Sequence, residues 1–206
     1  MSTLIKRPAA AAGRRPRIGI LGGSFNPAHE GHLHISRLAL DRLGLDEVWW
    51  LVSPQNPLKP VEGMAPFGDR LAGARALIGA AGRRAISATD IENDLGTPYT
   101  ADTLAALKRR FPNARFVWIM GADNLIEIDR WNNWTAIFET VPVAVFARPA
   151  YSLQALTSTA AKQFARRRMD EHQAAELVDR ALPAWMFMHI PLSSASATKI
   201  RDGSGD

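Results

Sequence analysis

Hydrophobic positions fall along this chain in short continuous runs separated by longer amphipathic stretches. The runs are Ile18–Leu21, Val48–Val52 within Asp46–Ser53, Ala85–Ile91, Phe116–Met120, Val141–Phe146 and Trp185–Ile190. Runs of that length, bounded by Gly, Pro or Asp, predict six buried strands. Between them, His32–Leu43 carries Leu33, Leu40 and Leu43 at near-helical spacing, with Gly44 as a stop. A second helix is predicted over Asp69–Ala81, capped by Asp69, and a third over Ala101–Arg110, capped by Thr100 and ending before Pro112. The Ala/Gln/Arg-rich segment Ser158–Leu182 reads as one long helix. Pro54, Pro57 and Pro60 exclude regular structure from the stretch that holds them, and the loop from Pro54 to Gly68 has the composition of a lid.

Strand and helix alternating at this rhythm predict βαβ units. The expected fold is α/β: a doubly wound, mostly parallel sheet with helices on both faces, in a single domain over 17–206. No internal repeat or second domain is visible. Ligands of such sheets bind beyond the carboxyl ends of the strands. The segments at Gly22, Ser53, Thr100 and Gly121 each follow a predicted strand, so one cleft can collect them all.

Composition narrows the classes of function. The 206 residues include no Cys, which excludes a disulfide framework, a thiolate nucleophile and a zinc–thiolate site, and suits the cytoplasm. No apolar run reaches the length of a membrane span. The net charge of +5 suggests nucleic acid until it is located. Lys6, Arg7, Arg14, Arg15 and Arg17 crowd the acid-free start of the chain, and the rest balances its 20 acidic side chains with 20 basic ones. The folded body is therefore neutral, and no nucleic-acid partner is expected. Residues 1–16 are expected to form a disordered basic tail.

The candidate chemistry concentrates in Arg17–His34. Gly22 and Gly23 close the first strand and leave bare backbone where another molecule can approach. His29 and His32 follow, three apart, at the start of the first helix, where both imidazoles share one face and the unpaired N–H groups favour an anion. These features together predict a phosphate site. There is no G-x-S-x-G elbow and no Walker string. A phosphate monoester is already anionic near neutral pH, so its oxygen needs no general base. Alignment and charge neutralisation of an in-line displacement suffice.

Gly22-Gly23-Ser24-Phe25-Asn26-Pro27, followed by His29-Glu30-Gly31-His32, resembles the G-G-(T/S)-F-(D/N)-P-x-H-x-G-H motif of nucleotidyltransferases, and more narrowly of bacterial nicotinate mononucleotide adenylyltransferases. The resemblance runs from about Arg17 to Gly203 and implies a Rossmann-like fold. It implies transfer of AMP from ATP to nicotinate mononucleotide, with Mg²⁺ carried on the ATP phosphates and no metal cage built by protein. His29 and His32 would meet the transferring phosphate. Ser196-Ala197-Thr198-Lys199-Ile200-Arg201 resembles the family's C-terminal helix-start motif, with Ala197 where many relatives have Ser, and would hold the triphosphate. Lys59 matches a family position near the phosphates. Arg148-Pro149 matches R-P-G, with Ala150 replacing the Gly. Both Lys59 and Arg148 are equally readable as solvated cations.

Gly121-Ala122-Asp123-Asn124 and Trp131-Asn132-Asn133-Trp134 resemble the family's G-x-D and W-x-x-W. Trp131 would stack on the pyridine, while Trp134 is equally readable as core. Asp123 would bond a ribose hydroxyl or cap a helix. The segment around Thr100 resembles the one that meets the nicotinate carboxylate through backbone N–H groups, and a helix start favours an acid over an amide. The rivals are the same chemistry on nicotinamide mononucleotide or another phosphorylated acceptor, and a non-catalytic nucleotide binder. Oligomeric state is left open.

Overall fold

The computed structural model describes residues 14–54, 63–148 and 151–190. The expectations for 1–13, Lys59, Pro149, Ala150, Ser196, Ala197, Thr198 and Arg201 concern residues outside these. Seven strands form one sheet: β1 (Arg17–Gly23), β2 (Glu47–Val52), β3 (Ile86–Thr89), β4 (Arg115–Gly121), β5 (Val143–Phe146), β6 (Arg168–Met169) and β7 (Trp185–Met188). Their order is β3-β2-β1-β4-β5-β7-β6, and every pairing is parallel. The order reverses at β1, which pairs with β2 on one side and β4 on the other. A doubly wound sheet opens its ligand crevice at that point.

Parallel strands covered on both faces must be apolar at every position, which is why the strands read as unbroken runs. Ile18, Ile20, Trp49, Phe116, Trp118, Val143, Val145 and Phe187 bury into one layer. Leu21, Val48, Trp50, Val117, Ile119, Phe146 and Met186 bury into the other. The helices covering them are α1 (Glu30–Arg42), α2 (Phe67–Ala80), α3 (Ile91–Leu95), α4 (Thr100–Arg110), α5 (Ala122–Glu127), α6 (Thr135–Thr140), α7 (Ser152–Leu156) and α8 (Thr159–Gln163). Gly44, at φ 61, follows the end of α1 as its stop.

Several expectations need correction. Helix α2 starts at Phe67 behind Pro66, and Asp69 lies in its first turn without capping it. Thr100 is the first residue of α4, behind an extended Tyr99, and no side chain caps that helix. The third strand stops at Thr89, because Ile91 opens α3, where Ile91 is buried. The segment 158–182 is not one helix. Ser158 caps the short α8, a 3-10 turn spans Ala165–Arg167, and Arg168–Met169 adds a seventh strand beside β7 before a 3-10 segment at Glu171–Asp179. Tertiary contacts override helix propensity here. The Trp185 indole donates to the Phe164 carbonyl at 2.8 Å. The Arg168 guanidinium lies over the Trp185 and Phe187 rings at 5.6 and 6.0 Å. Arg166, Arg167 and Arg168 are exposed.

Candidate active site

The carboxyl ends of β1 and β4 bring the sequence motifs to one crevice. His29 is the N-cap of α1 and His32 its third residue. The Gly31 N–H donates to His29 Nδ1 at 3.1 Å, and the His29 N–H donates to His32 Nδ1 at 3.2 Å. Both Nδ1 atoms are thus acceptors, so in each neutral ring the proton sits on Nε2. The rings lie 3.9 Å apart between centroids. The capping box that starts the helix therefore also selects the tautomer of both imidazoles.

Aromatic packing fixes the His32 ring further. Phe25, with φ 47 and 2% exposed, stacks on Trp50 at 5.0 Å and meets His32 at 4.7 Å. Phe25 is thus a buried support for His32, and its ring also lies beside Gly23 of the turn. Trp50 donates to the Ser36 hydroxyl at 2.8 Å, and that hydroxyl donates to the His32 carbonyl at 2.8 Å. The role of Ser36 and Trp50 appears once β2 packs beside α1.

Burial holds the His29 pKa down at about 4, and the positive charge of Arg148 lowers it in the same direction. His29 is 4% exposed. Protonation of Nδ1 would also forfeit the bond from Gly31. His29 is therefore a neutral hydrogen-bond donor in the free protein, not a cation.

Arg148 follows β5, and its Nη1 pairs with Asp123 Oδ2 at 3.0 Å. The β4–β5 register sets Gly121 opposite Phe146, which brings the two side chains together over Gly121. Any Cβ at Gly121 would collide with both of them. Asp123 Oδ1 is buried with no partner among the described residues. The helix-cap reading of Asp123 does not hold, since Gly121 is the N-cap of α5 and no side chain caps it. Arg148 is ion-paired and half-buried rather than a solvated cation.

Trp131 meets Trp118 edge-on at 6.4 Å and is half-buried. Trp134 packs edge-on against Phe138 and Phe164, which makes it core. Gly22 lies against Trp118 so closely that a Cβ would overlap the indole. Ser53 N–H donates to Gly23 O at 2.9 Å and ties β2 to the glycine turn.

Comparison with known proteins agrees with this geometry. A family model described as cytidylyltransferase-like matches residues 20–203. A protein of Cereibacter sphaeroides named "probable nicotinate-nucleotide adenylyltransferase" is 52% identical over 184 residues, covering 89% of this chain and 95% of its own length. One of the same name from Parvibaculum lavamentivorans is 54% identical over 189 residues, covering 92% of each. The chain belongs to the cytidylyltransferase-like family, on its nicotinate-nucleotide adenylyltransferase branch. Nicotinic acid mononucleotide adenylyltransferase of Plasmodium falciparum has been solved in complex with NaAD. It superposes with a TM-score of 0.67 at 19% identity, covering 91% of this chain and 83% of that one. The same protein complexed with APC gives 0.63 at 18% identity. These two structures establish the shared fold. The ends of β1, β4 and β5 and the start of α1 bring Gly22, Gly23, His29, His32, Gly121, Asp123 and Arg148 near one another, with Trp131 on Trp118 beside Gly22. Arg70 escaped the sequence reading altogether, because its partners are main-chain carbonyls.

Among the described residues, no helix is long and apolar enough to cross a membrane.

Proposed function

We propose that this nucleotidyltransferase joins ATP and nicotinate mononucleotide to give nicotinate adenine dinucleotide and pyrophosphate, a step of NAD biosynthesis in the cytoplasm. The names of its close relatives support the substrate pair. The observation that carries the chemistry is the pair of tautomer-locked imidazoles at the start of α1.

An oxygen of the mononucleotide 5′-phosphate attacks the α-phosphorus of ATP. The new P–O bond forms as the bond from that phosphorus to the β-bridging oxygen breaks, and pyrophosphate leaves with the electron pair. The nucleophile is already an anion, so no side chain need remove a proton. His29 and His32 donate from Nε2 to the oxygens that gain charge in transfer. Arg148 adds a fixed cation beside them. Asp123 accepts from a ribose hydroxyl, Trp131 stacks on the pyridine, and the uncapped start of α4 at Thr100 receives the nicotinate carboxylate. Lys59, Ser196, Ala197, Thr198 and Arg201 serve the triphosphate, as the family resemblance implies.

Entering with ATP, Mg²⁺ would neutralise charge on the triphosphate. Such an ion keeps much of its water and takes substrate phosphates as ligands. Among the described residues no three His, Asp or Glu side chains gather as a metal group. The partners are small molecules, with no nucleic acid.

The test is pyrophosphate release with ATP and Mg²⁺, run in parallel on nicotinate and nicotinamide mononucleotides. A strong preference for the acid supports both reaction and pocket. Equal rates keep the chemistry and overturn the role of the α4 start. No release with either overturns the proposed acceptor.

A further inference from the structure

Arg70, in the first turns of α2, is 4% exposed, and among the described residues no carboxylate pairs with it. Four of its five N–H groups go instead to main-chain carbonyls. Nε donates to Ala65 O at 3.0 Å, Nη1 to Ser24 O at 2.6 Å and to Ser53 O at 2.9 Å, and Nη2 to Pro54 O at 2.8 Å. Asn26 adds two bonds to the same place. Its Nδ2 donates to Gly63 O at 3.0 Å, and its Oδ1 accepts from the Ala65 N–H at 3.2 Å. Three stretches of backbone therefore converge on one guanidinium and one amide: the glycine turn, the exit from β2 and the approach to α2.

A buried cation without an anion is costly, and core stability alone would be served as well by an apolar side chain. What the guanidinium holds explains its presence. Ser24 O belongs to the peptide whose N–H is that of Phe25. Phe25 sits at φ 47, a region that bulky residues rarely adopt and that persists only where the surroundings fix it. The short charge-assisted bond to Ser24 O does so, and by polarising that peptide it makes its N–H a stronger donor. The Phe25 ring in turn packs on His32. The charge left over on Arg70 favours anions at the crevice.

We propose that Arg70, seconded by Asn26, is a positioning residue for the phosphate site: from beneath the glycine turn it holds the Ser24–Phe25 peptide and the His32 ring in place without touching substrate. The inference deepens the adenylyl-transfer reading and rests on it for the reaction, though not for the anion site. A lysine in its place keeps the charge but has no planar fork to span the carbonyls.

The experiment compares Arg70→Lys and Asn26→Ala with the intact protein in three readouts: kcat/KM for pyrophosphate release, calorimetric affinity for inorganic pyrophosphate, and affinity for adenosine. Rates are normalised to folded protein by near-ultraviolet circular dichroism. Arg70→Lys is expected to lose roughly 100-fold in kcat/KM, the scale of a misplaced site. Its pyrophosphate affinity should fall about tenfold, the equivalent of one weakened donor to a charged group, with adenosine affinity unchanged. Asn26→Ala should move the same two readouts in the same direction by less, and it decides the matter if Arg70→Lys does not fold. Either variant with wild-type turnover and pyrophosphate affinity, and only a lower melting temperature, overturns the inference. If the intact protein binds pyrophosphate but does not turn over nicotinate mononucleotide, the proposed function fails, while the pyrophosphate readout still decides the role of Arg70.

Discussion

His29 makes the start of α1 sensitive to acid, and the sensitivity can be sized. Its pKa is about 4 in the folded protein against an ordinary 6.5, with burial the first cause and Arg148 the second. That difference corresponds to about 3 kcal/mol of linkage. Because the folded value is depressed, the unfolded chain takes up the proton first. The stabilisation is whole above pH 6.5 and is lost as the pH falls through that value toward 4.

His29→Asn isolates the effect, since Asn removes the titration and retains an acceptor suited to an N-cap. Urea denaturation of both proteins across this pH window gives two stability profiles. The difference between them should change by about 3 kcal/mol, the histidine protein losing more as acid is added. Other titrating groups, Glu92 among them, are common to both proteins and cancel in the difference. Parallel profiles would refute the reasoning, because a histidine that is buried and neutral cannot be silent in that window.

Glu92 works in the opposite sense: burial raises its pKa from 4.5 to about 7 against the pull of the Thr103 hydroxyl. Stability should fall as pH rises from 4.5 to 7, and Glu92→Gln should gain up to about 3 kcal/mol above that window and nothing below it, read as a shift in urea midpoint. Gly22→Ala forces a methyl group into the Trp118 ring, so it should lose about 1–3 kcal/mol in the same assay. His32→Ala should remove most of kcat while circular dichroism reports an intact fold, and near-normal turnover would exclude His32 from the chemistry. Trp131→Ala should raise KM for a pyridine mononucleotide with ATP binding little changed, whereas equal loss for both substrates would place Trp131 in the packing alone.

Much of the fold was legible because parallel strands buried on both faces must be apolar throughout, and such runs mark themselves. The six expected strands all exist, and the sheet order puts the glycine turn and Gly121 at the β1–β4 reversal. Helix ends were less legible. Pro66 and Tyr99 precede helices without capping them, and Arg168–Met169 becomes a strand through its place beside β7. The imidazole pair was legible because a separation of three residues is local. Its protonation state was not, since the burial that chiefly depresses His29 comes only with packing, and the Arg148 cation that adds to it arrives after β5 and stands over Gly121 through its bond to Asp123.

Arg70 marks the limit of such reading. A side chain that pairs with another side chain leaves a trace in both residue types, and a carboxylate near in space can be guessed from a carboxylate in the sequence. A side chain that binds carbonyls leaves no such trace, because every residue carries a carbonyl. The residues that meet substrate are therefore more legible than those that set the backbone beneath them. In this chain the glycine turn and the imidazole pair stood out through Gly22, Gly23, His29 and His32, while the guanidinium bonded beneath them emerged only from four distances to main-chain oxygens.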